Sequence, residues 1–267
     1  MDIIVCIKQV PDTTDVKIDP KTGTLVREGV PSIVNPDDKH AVEEALRLKE
    51  KYGGKVTALC MGPPQAQVAL REVYAMGVDD TVLLCDRAFA GADTWATANS
   101  LALGIRKIGK YDIIFCGREA IDGDTAQIGP QLAETLGIPQ VTYVRGVKME
   151  GEKLHVERAL EDSHVLIEVG MPVLLTAIKD LNEPRYPKMG LIVKAHREHE
   201  TKSWSAQDVN AEVAKIGLNG SPTQVKRTFA PEPKGKIEML EGENSQAKAK
   251  LLIDKLKEKN VVRRSVS

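Results

Sequence analysis

Four short runs, DIIVCIKQV at 2–10, KVTALCMG at 55–62, TVLLCD at 81–86 and DIIFCG at 112–117, are almost unbroken in apolar residues. A strand that is apolar on both faces must be covered on both, so these runs read as buried parallel strands. The segments between them switch to helical spacing. NPDDKHAVEEALRLKEKYGG at 35–54 carries acids in its first turn and ends at Gly53, and GPPQAQVALREVYAMG at 62–77 opens on Pro63 and Pro64 and closes at Gly77. ADTWATANSLALGIRKIG at 92–109 starts at a cap residue, Asp93, and stops at Gly109. A fourth helix is expected from Asp124 or Thr125 to Gly137, with Gly129-Pro130 close to its start. Repeated strand-helix units with right-handed crossovers give a doubly wound, mostly parallel α/β sheet, Rossmann-like in class.

After Pro139 the pattern changes. VTYVRGVKMEGEKLHVERAL and HVLIEVGMPVLLTAI are β-like segments, with MEGEK as a hairpin turn, and they are expected to extend the sheet. From about Lys194 the chain turns polar, through HREHETKSW, GLNGSPT and FAPEPKGK, and finishes in the helical run NSQAKAKLLIDKLKEKNVV. The expected organisation is therefore an α/β domain over 1–193 and an extended arm with a short helix over 194–267, an arm that needs another surface to lie on.

Composition narrows the classes. A net charge of −1 offers no basic field for nucleic acid, and aromatic residues at 4% are too few for a base-stacking platform. No apolar run reaches the ~20 residues of a membrane span, and the opening MDIIVCIKQV is unlike a signal peptide, so no membrane insertion and a cytoplasmic location are expected. Cys6, Cys60, Cys85 and Cys116 form no C-x-x-C pair; each falls at or near the end of an expected strand, where it reads as packing that lines a floor. No metal spacing is found among the five histidines, and His196 and His199, on a charged stretch, read as solvated surface.

Ligands of open α/β sheets bind at the carboxyl ends of the strands. The stretch CGREAIDGDTAQIGPQLAETLGIP at 116–139 runs from such an end through a Gly- and Asp-rich loop into a helix start, a geometry that offers backbone N–H groups to an anion. It has neither the Lys-Ser/Thr ending of a phosphate-binding P-loop nor the G-x-G-x-x-G order. An ordinary capped helix start remains the alternative reading of the residues alone. Its acids need not repel a phosphate: Asp122 and Asp124 are expected to cap backbone donors, Arg118 to offset their charge, and Thr125 and Gln127 to add neutral donors.

The motifs IKQVPD, NPDDKHAVEEALRLKE, MGPPQAQ, AMGVDD, GREAIDGDTAQIG and LNEPRYP, in this order, resemble those of the β subunit of electron transfer flavoproteins over essentially the whole chain. The resemblance implies an adenine-nucleotide-binding domain paired with an α subunit that holds its own FAD, with the terminal arm clasping that subunit. One kind of β subunit carries a structural AMP and relays electrons from acyl-CoA dehydrogenases. In the bifurcating kind, a second FAD takes a hydride from NADH and splits the electrons between ferredoxin or flavodoxin and the α-subunit FAD. Thr94 and Thr97, three apart on one helical face, resemble the bifurcating kind, and Gly123 stands where AMP-binding relatives often carry an acid; both imply FAD, with AMP as the alternative. Carried over by resemblance, the nucleotide-binding positions are Cys6, Asn35, Asp38, Met61, Thr94, Thr97, Gly117, Arg118, Glu119, Asp122, Gly123, Asp124, Thr125, Gln127 and Ile128. No general base is expected, because the flavin performs the chemistry. In KDLNEPRYP, Leu181 resembles the hydrophobic anchor that docks onto acyl-CoA dehydrogenases, with Asn182, Glu183, Pro184, Arg185 and Tyr186 around it. ALEDSHVLIEVGMP, just before it, departs from the family pattern.

Overall fold

The computed structural model describes residues 1–12, 31–226 and 238–262. The FAPEPKGK stretch lies outside the described residues. In chain order the elements are β1 (Asp2–Ile7), β2 (Gln9–Pro11), β3 (Ser32–Val34), α1 (Pro36–Tyr52), β4 (Lys55–Met61), α2 (Gln67–Met76), β5 (Asp80–Leu84), α3 (Thr94–Ile108) and β6 (Ile113–Gly117). They continue as α4 (Ile128–Leu136), β7 (Gln140–Glu150), β8 (Lys153–Ala159), β9 (His164–Gly170), β10 (Val173–Ala177), α5 (Met189–Arg197), β11 (Lys202–Trp204) and α6 (Ser245–Glu258).

One sheet of nine strands organises the chain, in the order β11-β5-β4-β1-β6-β10-β7-β8-β9. From β11 to β7 every pairing is parallel, and β7, β8 and β9 close the far side as an antiparallel meander. The apolar runs explain this: β1, β4 and β6 bury nearly every residue, because helices cover both faces. Ala41, Val42, Ala45 and Leu46 of α1, with Leu70, Val73 and Met76 of α2, fill one layer. Leu101, Ala102 and Ile105 of α3, with Leu132 and Ala133 of α4, fill the other. The fold is the doubly wound α/β class expected from the sequence.

Strand β10 does more than extend the sheet. Its five residues VLLTA are all buried, and it inserts in parallel between β6 and β7. The exposed alternation of β9, by contrast, suits a sheet edge. The fourth helix begins at Ile128, later than Asp124 or Thr125, because Asp124 and Ala126 hold left-handed backbone with φ of 46° and 52°.

Two compact units divide between residues 227 and 228. Residues 194–226, grouped by composition with the arm, contribute β11 and the buried Ala195, Ala206, Val209 and Ile216 to the first unit. In the second, α6 is capped by Asn244, which accepts from the Ala247 N–H at 2.9 Å, and Leu251, Leu252 and Ile253 are exposed. Among the described residues, no helix is long and apolar enough to cross a membrane.

Candidate functional site

The crossovers that leave β1 and β6 diverge to opposite faces of the sheet, which opens a crevice above the carboxyl ends of these two neighbours. Two side chains at the start of α1 hold the crevice together. Asp38, buried, accepts from the Lys8 N–H at 2.7 Å with one oxygen and from the Gly117 N–H at 3.0 Å with the other. One carboxylate thus ties the end of β1 to the end of β6. A Cβ on Gly117 would lie 2.3 Å from Asp38 Oδ1 and 2.9 Å from the Asp37 carbonyl carbon, so this contact admits only glycine. Burial pushes the Asp38 carboxyl up to about 7, against the hydrogen bonds from Asn35, Lys8 and Gly117 that favour its charged form.

Asn35, fully buried, fixes the loop after β6. Its Nδ2 donates to the Glu119 carbonyl at 2.8 Å and its Oδ1 accepts from the Ile121 N–H at 3.1 Å. The loop then turns left-handed at Asp124 and Ala126 before the right-handed Gln127, at φ −103° and ψ −22°, opens α4. Such alternation turns successive N–H groups toward one point, where an anion is held. The side chain of Gln127, at the cap position of α4, makes no cap hydrogen bond. Gly129 brings the helix start against β10: a Cβ there would meet the Thr176 methyl at 2.4 Å.

The acids of the loop are offset differently from expectation. Lys8, just past β1, reaches Asp122 Oδ1 at 2.6 Å, and the Asp122 side chain is only 6% exposed. Arg118 instead contacts Glu119 and lies 3.6 Å from Asp37, with its Nε buried and lacking a hydrogen-bond partner. Its guanidinium sits 5.9 Å from the Tyr143 ring centroid. Gly123, Asp124, Thr125 and Gln127 are exposed at the rim, and nothing lies within 4 Å of the place a Gly123 Cβ would occupy. Ile128 is half-buried.

Thr94 opens α3 and donates to Gln127 Oε1 at 3.1 Å, so the starts of α3 and α4 meet at the crevice rim. Thr97, one turn on, is half-buried. The floor holds Cys6 and Cys116, both buried, with Met61 at the end of β4 packed against the same layer. A hydrogen bond with Cys6, together with burial, holds the Cys116 thiol well above its ordinary value, and burial pushes Cys60 up to about 12. These thiols are inert packing groups.

The LNEPRYP segment is a separate place on α1. Leu181 ends a short turn over Lys179–Leu181 and packs, half-buried, on the α1/α2 layer. Asn182 is spent on α1: its Nδ2 donates to the His40 carbonyl at 3.0 Å and to Glu44 Oε2 at 3.1 Å, and its carbonyl lies 2.8 Å from His40 Nδ1. Arg185 forks onto Glu43, at 2.8 and 3.1 Å, and onto Glu50. Tyr186 is 92% exposed, beside an exposed Glu183 and a half-buried Pro184.

Sequence reasoning missed Lys8, although a lysine directly after β1 is within reach of the loop after β6 once the two strands are neighbours. It also misplaced His199, which stacks on Tyr74 at 3.7 Å between centroids and bonds Thr81 Oγ1 at 2.7 Å; His196 is exposed. The signal for His199 was Thr81, a polar residue inside an apolar strand that needed a partner.

Comparison with known proteins agrees with this architecture. Residues 22–211 match the family model described as the electron transfer flavoprotein domain. The electron transfer flavoprotein subunit beta of Thermoanaerobacterium thermosaccharolyticum is 58% identical over 262 residues, covering 98% of this chain and 100% of that protein. The caffeyl-CoA reductase-Etf complex subunit CarD of Acetobacterium woodii is 53% identical over 98% of this chain and 100% of its own length. The acryloyl-CoA reductase electron transfer subunit gamma of Anaerotignum propionicum is 47% identical, with the same two coverages.

Proposed function

The chain belongs to the electron transfer flavoprotein family, and from that premise we propose that it is a β subunit of the bifurcating kind, whose crevice between β1 and β6 holds FAD. The observation that carries the reading is the uncapped start of α4 behind a loop of alternating backbone handedness, with Asp122 already engaged by Lys8. A diphosphate fits such a place, because it brings acceptors for the first N–H groups of a helix, while those of Ile121, Gly123 and Asp124 are already bonded within the loop. Arg118, directly after β6, adds a positive charge beside the same loop.

Bound there, FAD would supply the redox chemistry, hydride acceptance from NADH and electron transfer to ferredoxin or flavodoxin and to the FAD of the α subunit. The chain's own residues bind and orient. Asn35 and Asp38 hold the crevice walls in register, Thr94 and Gln127 present polar atoms at the rim, and Cys6, Cys116 and Met61 give an apolar floor that excludes water. No side chain is required to move a proton. Relatives named for caffeyl-CoA and acryloyl-CoA reductase support a CoA-ester oxidoreductase of the acyl-CoA dehydrogenase kind as the final partner. The surface on which it docks is Leu181 with Glu183, Pro184 and Tyr186, held rigid by Asn182 and Arg185.

The test is the visible spectrum of the purified heterodimer. Two flavins per heterodimer, both bleached by NADH, are expected. One flavin, with AMP released on denaturation, would replace this reading with the relay one.

A further inference from the structure

Asp93 does more than cap a helix. Its Oδ1 accepts from the Ala96 N–H at 3.0 Å, which is all that a cap requires. Its Oδ2 is spent far along the chain, accepting from Thr223 N–H at 3.0 Å and from Thr223 Oγ1 at 2.7 Å. The Asp93 N–H in turn donates to Ser221 Oγ at 2.8 Å, and that hydroxyl donates to the Gly217 carbonyl at 2.8 Å. The Leu218 N–H donates to the Ala90 carbonyl at 3.0 Å. Gly217, at φ 54°, lies so close that a Cβ would stand 2.0 Å from the Ala88 carbonyl oxygen. Residues 217–223 are therefore a strap laid across the turn that begins α3. Burial raises the Asp93 carboxyl, but the donors from Ala96 and Thr223 outweigh it and hold it below its ordinary value.

The next residue makes this consequential. Thr94 donates to Gln127, the residue that opens α4 at the crevice rim. Farther along the same two helices, Arg106 of α3 donates to the Thr135 carbonyl of α4 at 2.7 Å, so the helices are joined at both ends. The strap ends a few residues before the boundary at 227/228, after which the chain continues as a separate compact unit. Two hydrogen-bonded links, Thr223 to Asp93 and Thr94 to Gln127, thus meet at the peptide bond between Asp93 and Thr94. We propose that Asp93 is a positioning residue that couples the strap over residues 217–223 to the loop that cradles the nucleotide. A release of residues 217–223 from the turn before α3 is read at the start of α4. This inference rests on the crevice being the nucleotide site.

The test uses the full chain in complex with its flavoprotein partner subunit, followed by amide hydrogen exchange and by titration with FAD after flavin removal. Asp93→Asn keeps one oxygen for the cap, at which Asn serves as well as Asp, but turns a donor toward the Thr223 N–H. Exchange is expected to rise about tenfold both in 217–223 and in 126–131, and FAD affinity to fall about tenfold, as for loss of one hydrogen bond to a charged group. In a Gln127→Ala background, Asp93→Asn should add nothing at 126–131, since the last link is already gone. Faster exchange confined to 217–223 would overturn the coupling. Should Asp93→Asn fail to assemble, Thr223→Val, which removes one hydroxyl at the far end of the two links, gives the same two-site readout. Exchange that spreads to 126–131 while FAD affinity stays unchanged would leave the coupling standing and remove the nucleotide assignment.

Discussion

Replacing Gly117 by alanine tests the junction of β1 and β6 directly. The added Cβ would lie 2.3 Å from Asp38 Oδ1, and 2.9 Å from both the carbonyl carbon and the Cβ of Asp37. Backbone of α1 cannot swing aside as a long side chain would, so the strand end must retreat. Retreat breaks the 3.0 Å bond from the Gly117 N–H to the buried carboxyl, worth about 1.5–3 kcal/mol as a charge-assisted bond at pH 8, above the Asp38 value of about 7. Overpacking a close contact adds roughly 1–3 kcal/mol. The sum is about 2.5–6 kcal/mol, which for a domain of this size lowers the melting temperature by roughly 5–24 °C. Thermal unfolding followed by circular dichroism measures it, with Gly123→Ala as control, because a Cβ there meets nothing within 4 Å. Two melting curves lowered alike, or Gly117→Ala within 1 °C of wild type, would refute the claim that glycine is needed for this contact. A double variant with Asp38→Ala sharpens the test: the contact with the carboxylate predicts a combined loss smaller than the sum of the two single losses.

Two further outcomes follow from charges beside the crevice and on α1. Burial holds the Asp38 carboxyl at about 7 against an ordinary 3.8, so the native state binds the proton more tightly than the unfolded chain, and stability from this group is lost as pH rises from about 4 through 7. The slope reaches about 1.4 kcal/mol per pH unit; Asp38→Asn abolishes it, so the urea midpoint of that variant relative to wild type should be higher at pH 8 than at pH 5, and an equal difference at both would disprove the assignment. On α1, burial pushes the Glu43 carboxyl up, but hydrogen bonds from Arg185 and Arg47 outweigh it and hold the group below 4.5. Arg185→Ala should therefore cost about 2–4 kcal/mol at pH 7, less than a fully orphaned buried charge because Arg47 remains at 2.9 Å. Arg185→Lys should recover only part of this, since lysine lacks the fork, and the cost should shrink as pH falls through the lowered Glu43 value. Thermal melts at pH 7 and pH 4 give both comparisons.

The layers were legible in the sequence and the seams between them were not, for a physical reason. Apolar runs such as IIVCI and IIFC report burial on both faces, a property of each segment alone, so the parallel core and its helices could be read without knowing which strand lies beside which. The place of β10 between β6 and β7 is a pairing, and pairing is decided by partners distant in the chain. The same limit governed the candidate site. The loop from Gly117 to Ile128 could be found from its own composition, whereas Lys8 against Asp122, Asp38 across two strand ends and Thr223 on Asp93 join residues 114, 79 and 130 positions apart. Asp38 shows how this misleads. Its position was identified through a resemblance, as a residue near the nucleotide, yet both its oxygens are taken by backbone N–H groups of Lys8 and Gly117. Its role is then to hold two strand ends at a fixed spacing, and substituting it changes that spacing. The residues that shape this crevice are best sought among buried polar side chains whose hydrogen bonds bridge neighbouring strand ends, since such groups have no reason to be buried apart from the geometry they impose.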